Sequence, residues 1–182
     1  MYTLDDVSLR PLTSEDMSKM YTWQYDIPSG VMGGHVRPRS FQSFLREKEE
    51  RFCNPHEDFI MFGIEYRGTL VGYTMLGLID TEHRHASVGI DIGEKTLRGK
   101  GIARQALRLL CDYGFRIENF DKICSEVYDF NSRSHFLMKA CGFHEEGVLR
   151  KHEVHNGERV DMHVYGLLRE DFYERFETIF QA

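Results

Sequence analysis

Hydrophobic positions recur along this chain with two periods, and the switch between them sets the element order. Val7 to Leu12 alternates apolar and polar residues as a short strand, and Thr13-Ser14-Glu15-Asp16 then supplies a cap for a helix through about Tyr25. From Asp26 to Arg39, Pro28, Gly30, Gly33, Gly34 and Pro38 break any regular pattern, and the stretch reads as a long functional loop. A charge-rich helix is expected from Phe41 to Phe52. Phe59–Tyr66 and Leu70–Ile79 are apolar, aromatic-rich strands around a hairpin turn at Arg67-Gly68-Thr69, and a third strand follows over Ala86–Ile92. Ala106, Leu107, Leu110, Cys111, Gly114 and Ile117 then fall at helical spacing, which predicts an amphipathic helix from Lys100 to about Glu118. Ile123–Tyr128 is a strand, Ser132–Cys141 a short helix ended by Gly142, and Phe143–Val154 and Arg159–Leu168 a hairpin about Asn156-Gly157. The order β-α-α-β-β-β-α-β-α-β-β describes an α/β (mixed α+β) protein with helices packed on a mixed sheet.

Composition narrows the class. At 182 residues with 41% hydrophobic positions, the chain can bury a full core, and no linker or repeat divides it, so one domain over residues 1–182 is expected. The 23 basic against 29 acidic residues leave a net charge of −6, which argues against nucleic acid as a partner. No apolar run is long enough to cross a bilayer, and Met1 to Asp6 carries no export signal, so no membrane partner and a cytoplasmic location are expected. Cys53, Cys111, Cys124 and Cys141 are widely separated and read as reduced thiols. Among the nine histidines, the pairs His83/His85 and His152/His155 lack further ligands at a defensible spacing, and no metal site is expected.

The most informative segment joins the third long strand to the amphipathic helix: Ile90-Asp-Ile-Gly-Glu-Lys-Thr-Leu-Arg98-Gly99-Lys100-Gly101-Ile102-Ala103. Glycines at such a turn let successive backbone N–H groups converge on an anion at the positive end of a helix dipole. The spacing fits neither Gly-x-x-x-x-Gly-Lys-Ser/Thr nor Gly-x-Gly-x-x-Gly, so nucleoside-triphosphate and dinucleotide chemistry are disfavoured.

Arg98-x-x-Gly101-x-Ala103 after a strand resembles the pyrophosphate-binding motif of the GNAT superfamily of acyl-coenzyme A N-acetyltransferases. The element order, Asn131-x-x-Ser134, Cys141-Gly142-Phe143 and the closing hairpin extend the resemblance over nearly the whole chain. It implies the GNAT fold, a splayed mixed sheet of about seven strands flanked by about four helices, with acetyl-CoA as cosubstrate. It further implies that backbone groups from Ile90 to Ile92 pair with the pantetheine arm, that Arg98, Gly99, Lys100, Gly101, Ile102 and Ala103 hold the diphosphate, and that Asn131 bonds the pantetheine or phosphate side.

Many members of the superfamily carry a tyrosine acid four residues before the glycine of the Gly-Phe pair, and here that residue is Met138. This departure weakens the resemblance to spermidine acetyltransferases, which His83-Arg84-His85 and Asp112-Tyr113-Gly114-Phe115 otherwise suggest; some similarity to them is kept. The departure brings the chain nearer the RimJ/RimL-type branch, which acetylates N-terminal amines of ribosomal proteins. That resemblance implies Ser134 and Glu153 as catalytic residues. Glu153 would accept the amine's proton through water, and Ser134 would orient the amine or protonate sulfur. Asp161 is a weaker candidate with two readings: it faces Glu153 across the hairpin, or it pairs with Arg150 or Lys151. Trp23, Met32, His35 and Arg37 are expected to line the acceptor mouth. The function implied is transfer of an acetyl group from acetyl-CoA to a primary amine, of a protein N-terminus or a small molecule, by direct attack in a ternary complex. A polyamine or aminoglycoside acetyltransferase and a non-catalytic acyl-CoA sensor are the alternatives. A homodimer is compatible with the free strand edges.

Overall fold

The computed structural model describes residues 2–23, 40–52 and 58–179. Two short strands, β1 (Tyr2–Leu4) and β2 (Val7–Arg10), precede helices α1 (Asp16–Trp23) and α2 (Phe41–Phe52). Strands β3 (Phe59–Tyr66), β4 (Thr69–Asp80) and β5 (His85–Asp91) follow. A single 3-10 turn at Lys95–Leu97 then leads to α3 (Ile102–Arg116). The chain continues through β6 (Lys122–Tyr128), α4 (Ser132–Ala140), β7 (His144–His155), β8 (Glu158–Leu168) and α5 (Arg169–Arg175). The strands form one sheet in the order β1-β2-β3-β4-β5-β6-β8-β7, in which β5 and β6 alone run parallel.

Both hairpins expected from the sequence have two-residue turns, and Thr69, expected in the first turn, instead begins β4. Arg67 and Gly68 (φ +53° and +75°) link β3 to β4, and Asn156 and Gly157 (+51° and +84°) link β7 to β8. Positive φ at both central residues matches the twist of the flanking strands. Gly142, at φ +92°, ends α4 in the left-handed conformation expected of it.

Three features depart from the expectations. β1 is too short to show a period, and it exists because Tyr2–Leu4 pairs in register with Val7–Leu9. α5 follows β8 without a break, and Phe172, completely buried, stacks near Phe115 of α3. The helix read from Lys100 starts two residues later, because Gly99 and Gly101 hold φ of +79° and +80°, outside helical space.

α3 covers one face of the sheet. Its Ala106, Leu107 and Leu110 are fully buried in one core with Ile64, Leu76 and Ile123. Gly114 lets the helix approach closely, since a Cβ there would lie 3.0 Å from Ile123 Cδ1. α1 and α2 lie on the opposite face, where Met17, Met20, Phe44 and Leu70 form a second cluster. The start of α1 is fixed by Arg10, whose guanidinium donates to Asp16 Oδ2 (2.7 Å), Asp16 Oδ1 (2.9 Å) and Glu65 Oε1 (2.6 Å). Cys111, Cys124 and Cys141 are free thiols, and Cys53 lies outside the described residues.

Candidate active site

The parallel ladder between β5 and β6 runs only from His85↔Lys122 to Ser87↔Cys124. β5 then continues to Asp91 beside β4, through Thr74↔Ile90 and Tyr73↔Asp91, while β6 runs on to Tyr128 beside β8. The sheet therefore splays, and the edge of Val88–Ile90 that faces β6 has no ladder partner among the described residues. An extended ligand can add to such an edge as a strand does. Ile90 packs against the main core and Ile92 is buried, so neither side chain is presented to a ligand and both contribute backbone. The Ile92 carbonyl already accepts the Arg98 Nε–H at 2.7 Å, and Arg98 Nη2 lies 3.4 Å from the Gly93 carbonyl. Arg98 thus shapes the turn that follows the strand.

At the end of that turn Gly101 occupies the N-cap of α3 with no side-chain cap, and Gln105 N–H donates to its carbonyl. A Cβ built on Gly99 or Gly101 would meet nothing within 4 Å, so their positive φ, not crowding, requires glycine. The first N–H groups of α3 have no intrahelical partner and point outward beside an exposed Lys100. Convergent amides at the positive end of a 15-residue helix can hold an anion without a side-chain ligand. Ile102 and Ala103 set their side chains into or against the core and offer main chain only.

Trp23, at the end of α1, sits directly on Gly93: a Cβ on Gly93 would lie 2.0 Å from the indole Cδ2. This places the end of α1 against the start of the turn. The segment that follows Trp23 lies outside the described residues, and with it the long loop and its Met32, His35 and Arg37.

Across the splay, Asn131 caps α4 by accepting the Ser134 N–H on Oδ1 (3.1 Å). The Ser134 side chain is half-buried on the first turn of that helix. Met138 is buried in the core, so no ionisable group occupies the place of the usual acid. Glu153 stands on the exposed β7, directly opposite Val160. Its carboxylate Oε2 accepts the Tyr128 hydroxyl at 3.0 Å. Desolvation and then that bond push the Tyr128 phenol above its ordinary range. Among the described residues no hydrogen bond joins Ser134 to Glu153; the carboxylate's link runs to Tyr128. His135, next to Ser134, holds the Tyr128 carbonyl with Nε2 (3.0 Å) and the buried Tyr165 hydroxyl with Nδ1 (2.7 Å). Asp161 does not face Glu153: its Oδ1 accepts the Lys151 backbone N–H at 2.7 Å, pinning a bulge where Lys151 has φ +51°.

Tyr128 and His135 were not singled out from the sequence. The signal for Tyr128 lay in period two. Ile123, Ser125 and Val127 are buried on the α3 side, so residue 128 falls on the opposite face at the strand's open end. By the same alternation Asp91, Glu126 and Tyr128 share one face, and Tyr73 is directly opposite Asp91. Burial and then the charge of Asp91 push the Tyr73 phenol up to about 12.

The acetyltransferase (GNAT) domain family matches residues 6–144. The chain belongs to the GNAT acetyltransferase family. It is 33% identical over 103 residues to the uncharacterized N-acetyltransferase p20 of Bacillus licheniformis, a match spanning 57% of either protein. Over 159 residues it is 30% identical to the spermidine N(1)-acetyltransferase of Escherichia coli (strain K12), covering 87% of this chain and 83% of that one. Its fold superposes with a TM-score of 0.84 on a spermidine N-acetyltransferase from Vibrio cholerae solved with CoA and spermine. The two are 26% identical, and the superposition covers 93% of this chain and 99% of that one.

Membership in the GNAT family accords with the expectation of an acetyltransferase enzyme that uses acetyl-CoA as cosubstrate. The sheet of this GNAT protein has eight strands, with five α-helices among the described residues. No three His, Cys, Asp or Glu side chains group as metal ligands among those residues. His83 instead lies 3.1 Å from Asp80 Oδ2. Among the described residues no helix is long and apolar enough to cross a membrane.

Proposed function

We propose that this protein is an acetyl-CoA-dependent N-acetyltransferase, acting in the cytoplasm as a single domain, that moves the acetyl group to a primary amine by direct attack in a ternary complex. The observation that carries the reading is the combination of the β5 edge at Val88–Ile90, which leaves the β6 ladder after Ser87, with a glycine N-cap at Gly101 that gives the first amides of α3 no side-chain cap. The backbone of Ile90 to Ile92 would bind the pantetheine arm, the amides from Gly99 to Ala103 the diphosphate, and Asn131 the pantetheine side; the Arg98 N–H, expected among the diphosphate donors, instead donates to the Lys95 carbonyl at 3.2 Å. The single sheet running from Tyr2 to Leu168 supports one domain.

In the reaction the amine nitrogen attacks the thioester carbonyl, the carbon–sulfur bond breaks, one proton leaves the amine and one reaches the thiolate. Glu153 takes the first through water, and Ser134 orients the amine or serves sulfur. The acceptor enters from the face of α1, near Trp23.

Two acceptor classes have support. Similarity to spermidine N-acetyltransferases favours a polyamine, and so does the face carrying Asp91, Glu126 and Glu153, which suits a cation. The Met138, Ser134 and Glu153 pattern favours the RimJ/RimL-type reading, with an N-terminal α-amine as acceptor. At pH 7 an α-amine needs about 1.4 kcal/mol to lose its proton and a lysine-like amine about 4.6 kcal/mol, so the second class asks less of one carboxylate. Thiol release measured over spermidine, spermine, an aminoglycoside and short peptides with free N-termini decides between them. Turnover with none, alongside tight acetyl-CoA binding, would replace the enzyme reading by that of an acyl-CoA sensor.

A further inference from the structure

Tyr128 is held at both ends by groups attached to the two candidate catalytic residues. Its hydroxyl donates to Glu153 Oε2 at 3.0 Å, and its carbonyl receives His135 Nε2 at 3.0 Å, one residue after Ser134. A carbonyl only accepts, so His135 Nε2 carries a proton, and Nδ1 lies 2.7 Å from the Tyr165 hydroxyl. The His163 ring packs edge-on against His135 at 4.7 Å between centroids, and Glu145 lies 3.2 Å from both the Tyr165 hydroxyl and His163 Nδ1. The imidazole is therefore fixed on the α4, β6 and β8 sides. The Tyr128 ring is fixed as well, stacked on Phe130 at 5.1 Å and 8°, with His155 tilted against both. Glu153 has the opposite character. It is exposed, next to a bulge that breaks the register between Leu149 and Glu153, and the Tyr128 hydroxyl is the hydrogen-bond donor the structure gives its carboxylate.

We infer that Tyr128 is a positioning residue, which holds the Glu153 carboxylate in a fixed relation to Ser134. The tyrosine ties a mobile-length side chain on an edge strand to the rigid end of β6, and His135 ties that strand end to the helix that carries Ser134. A carboxylate placed this way reaches the acceptor's proton from one direction, where a free side chain would sample several rotamers. Tyr128 does not replace the acid missing at Met138, because its hydrogen is directed at Glu153 and it stands on a different element. The inference rests on the reading of Glu153 as the proton acceptor.

The test is a double-mutant cycle of Tyr128→Phe and Glu153→Ala, read as kcat and KM with the best amine of the panel. The phenylalanine keeps the ring stack and the backbone carbonyl and removes the hydroxyl alone. Loss of one hydrogen bond to a charged group predicts a fall in kcat of about tenfold, with KM for acetyl-CoA unchanged. In the Glu153→Ala background the same substitution should change kcat less than about twofold, because the group through which it acts is gone. An equal loss in both backgrounds marks a merely structural role and overturns the inference, as does full activity of the single variant. If Glu153→Ala alone keeps full turnover, the assignment of Glu153 fails first, and the inference fails with it. A crystal structure of the Tyr128→Phe variant reads the geometry independently of turnover: the carboxylate should leave its site beside the ring, and a carboxylate still in place overturns the inference.

Discussion

Gly101→Ala separates backbone strain from ligand binding. Gly101 holds φ +80° at the N-cap of α3, and a Cβ there meets no atom within 4 Å, so alanine brings strain without a clash. Holding an L-residue in the left-handed region costs about 1–2 kcal/mol. For a chain of this size that lowers Tm by about 2–8 °C. To shed part of that strain the turn shifts toward negative φ, and the first amides of α3 rotate away from their common point. A hydrogen bond to a charged group contributes about 1.5–3 kcal/mol, so loss of one such amide weakens acetyl-CoA binding at least about tenfold. Gly157→Ala is the control. It has φ +84° and nothing within 4 Å of its Cβ, yet it lies in the β7–β8 turn, away from the cradle. Scanning calorimetry of both variants should show similar losses of stability, while titration calorimetry with acetyl-CoA should show weakened binding for Gly101→Ala alone. Unchanged coenzyme affinity in Gly101→Ala, with the expected fall in Tm, would refute the role assigned to the turn.

Other consequences are as direct. Arg98→Ala removes the guanidinium bonds to the Ile92 and Gly93 carbonyls and should weaken coenzyme binding about tenfold by titration calorimetry, although its role is to shape the turn. Gly93→Ala drives a methyl group into the Trp23 ring, and steady-state kinetics should show a raised KM for the amine with coenzyme affinity little changed. Ser134→Ala should lower turnover and leave acetyl-CoA affinity intact, since the Asn131 cap is made to the Ser134 backbone and survives the substitution. The Arg10 guanidinium holds the Asp16 carboxyl down from 3.8 to about 2, with burial opposing and the Thr13 bonds assisting. A depressed carboxylate stabilises the fold above its unfolded value, and that stability is lost as the pH falls from about 4 to about 2. The difference is worth about 2 kcal/mol, so in denaturant titrations Asp16→Asn should be less stable than the parent by that amount at pH 7 and nearly equal to it near pH 2.

The parts of this fold that could be read from the sequence are those set by local rules. Asn156-Gly157 and Arg67-Gly68 specify their hairpins because both central residues need positive φ, and the helical spacing of Ala106, Leu107 and Leu110 specifies α3 because only that period puts all three in the core. The strand–turn–helix order around Gly99 and Gly101 was legible for the same reason. The splay came from the family resemblance and not from local rules, because it is where a ladder stops: after Ser87↔Cys124 nothing in the local sequence of β5 changes. Long-range side-chain bonds were equally hidden. Tyr128 and Glu153 are 25 positions apart and meet only because Tyr128↔Met162 and Glu153↔Val160 fix the registers of β6, β8 and β7. Asp161 shows the limit from the other side. Alternation alone placed it near Glu153, but the bulge at Lys151 shifts the register and uses its carboxylate for a backbone amide.

The grip of the Gly99–Ala103 amides on a diphosphate is the central claim. Titration calorimetry comparing acetyl-CoA with S-acetylpantetheine, which has the same thioester and arm but no diphosphate, measures that grip. The structure predicts clear heat for acetyl-CoA and binding weaker by about a hundredfold or more for the truncated thioester, since several charge-assisted hydrogen bonds are lost together. Equal affinity for the two, or no heat from acetyl-CoA, would contradict it.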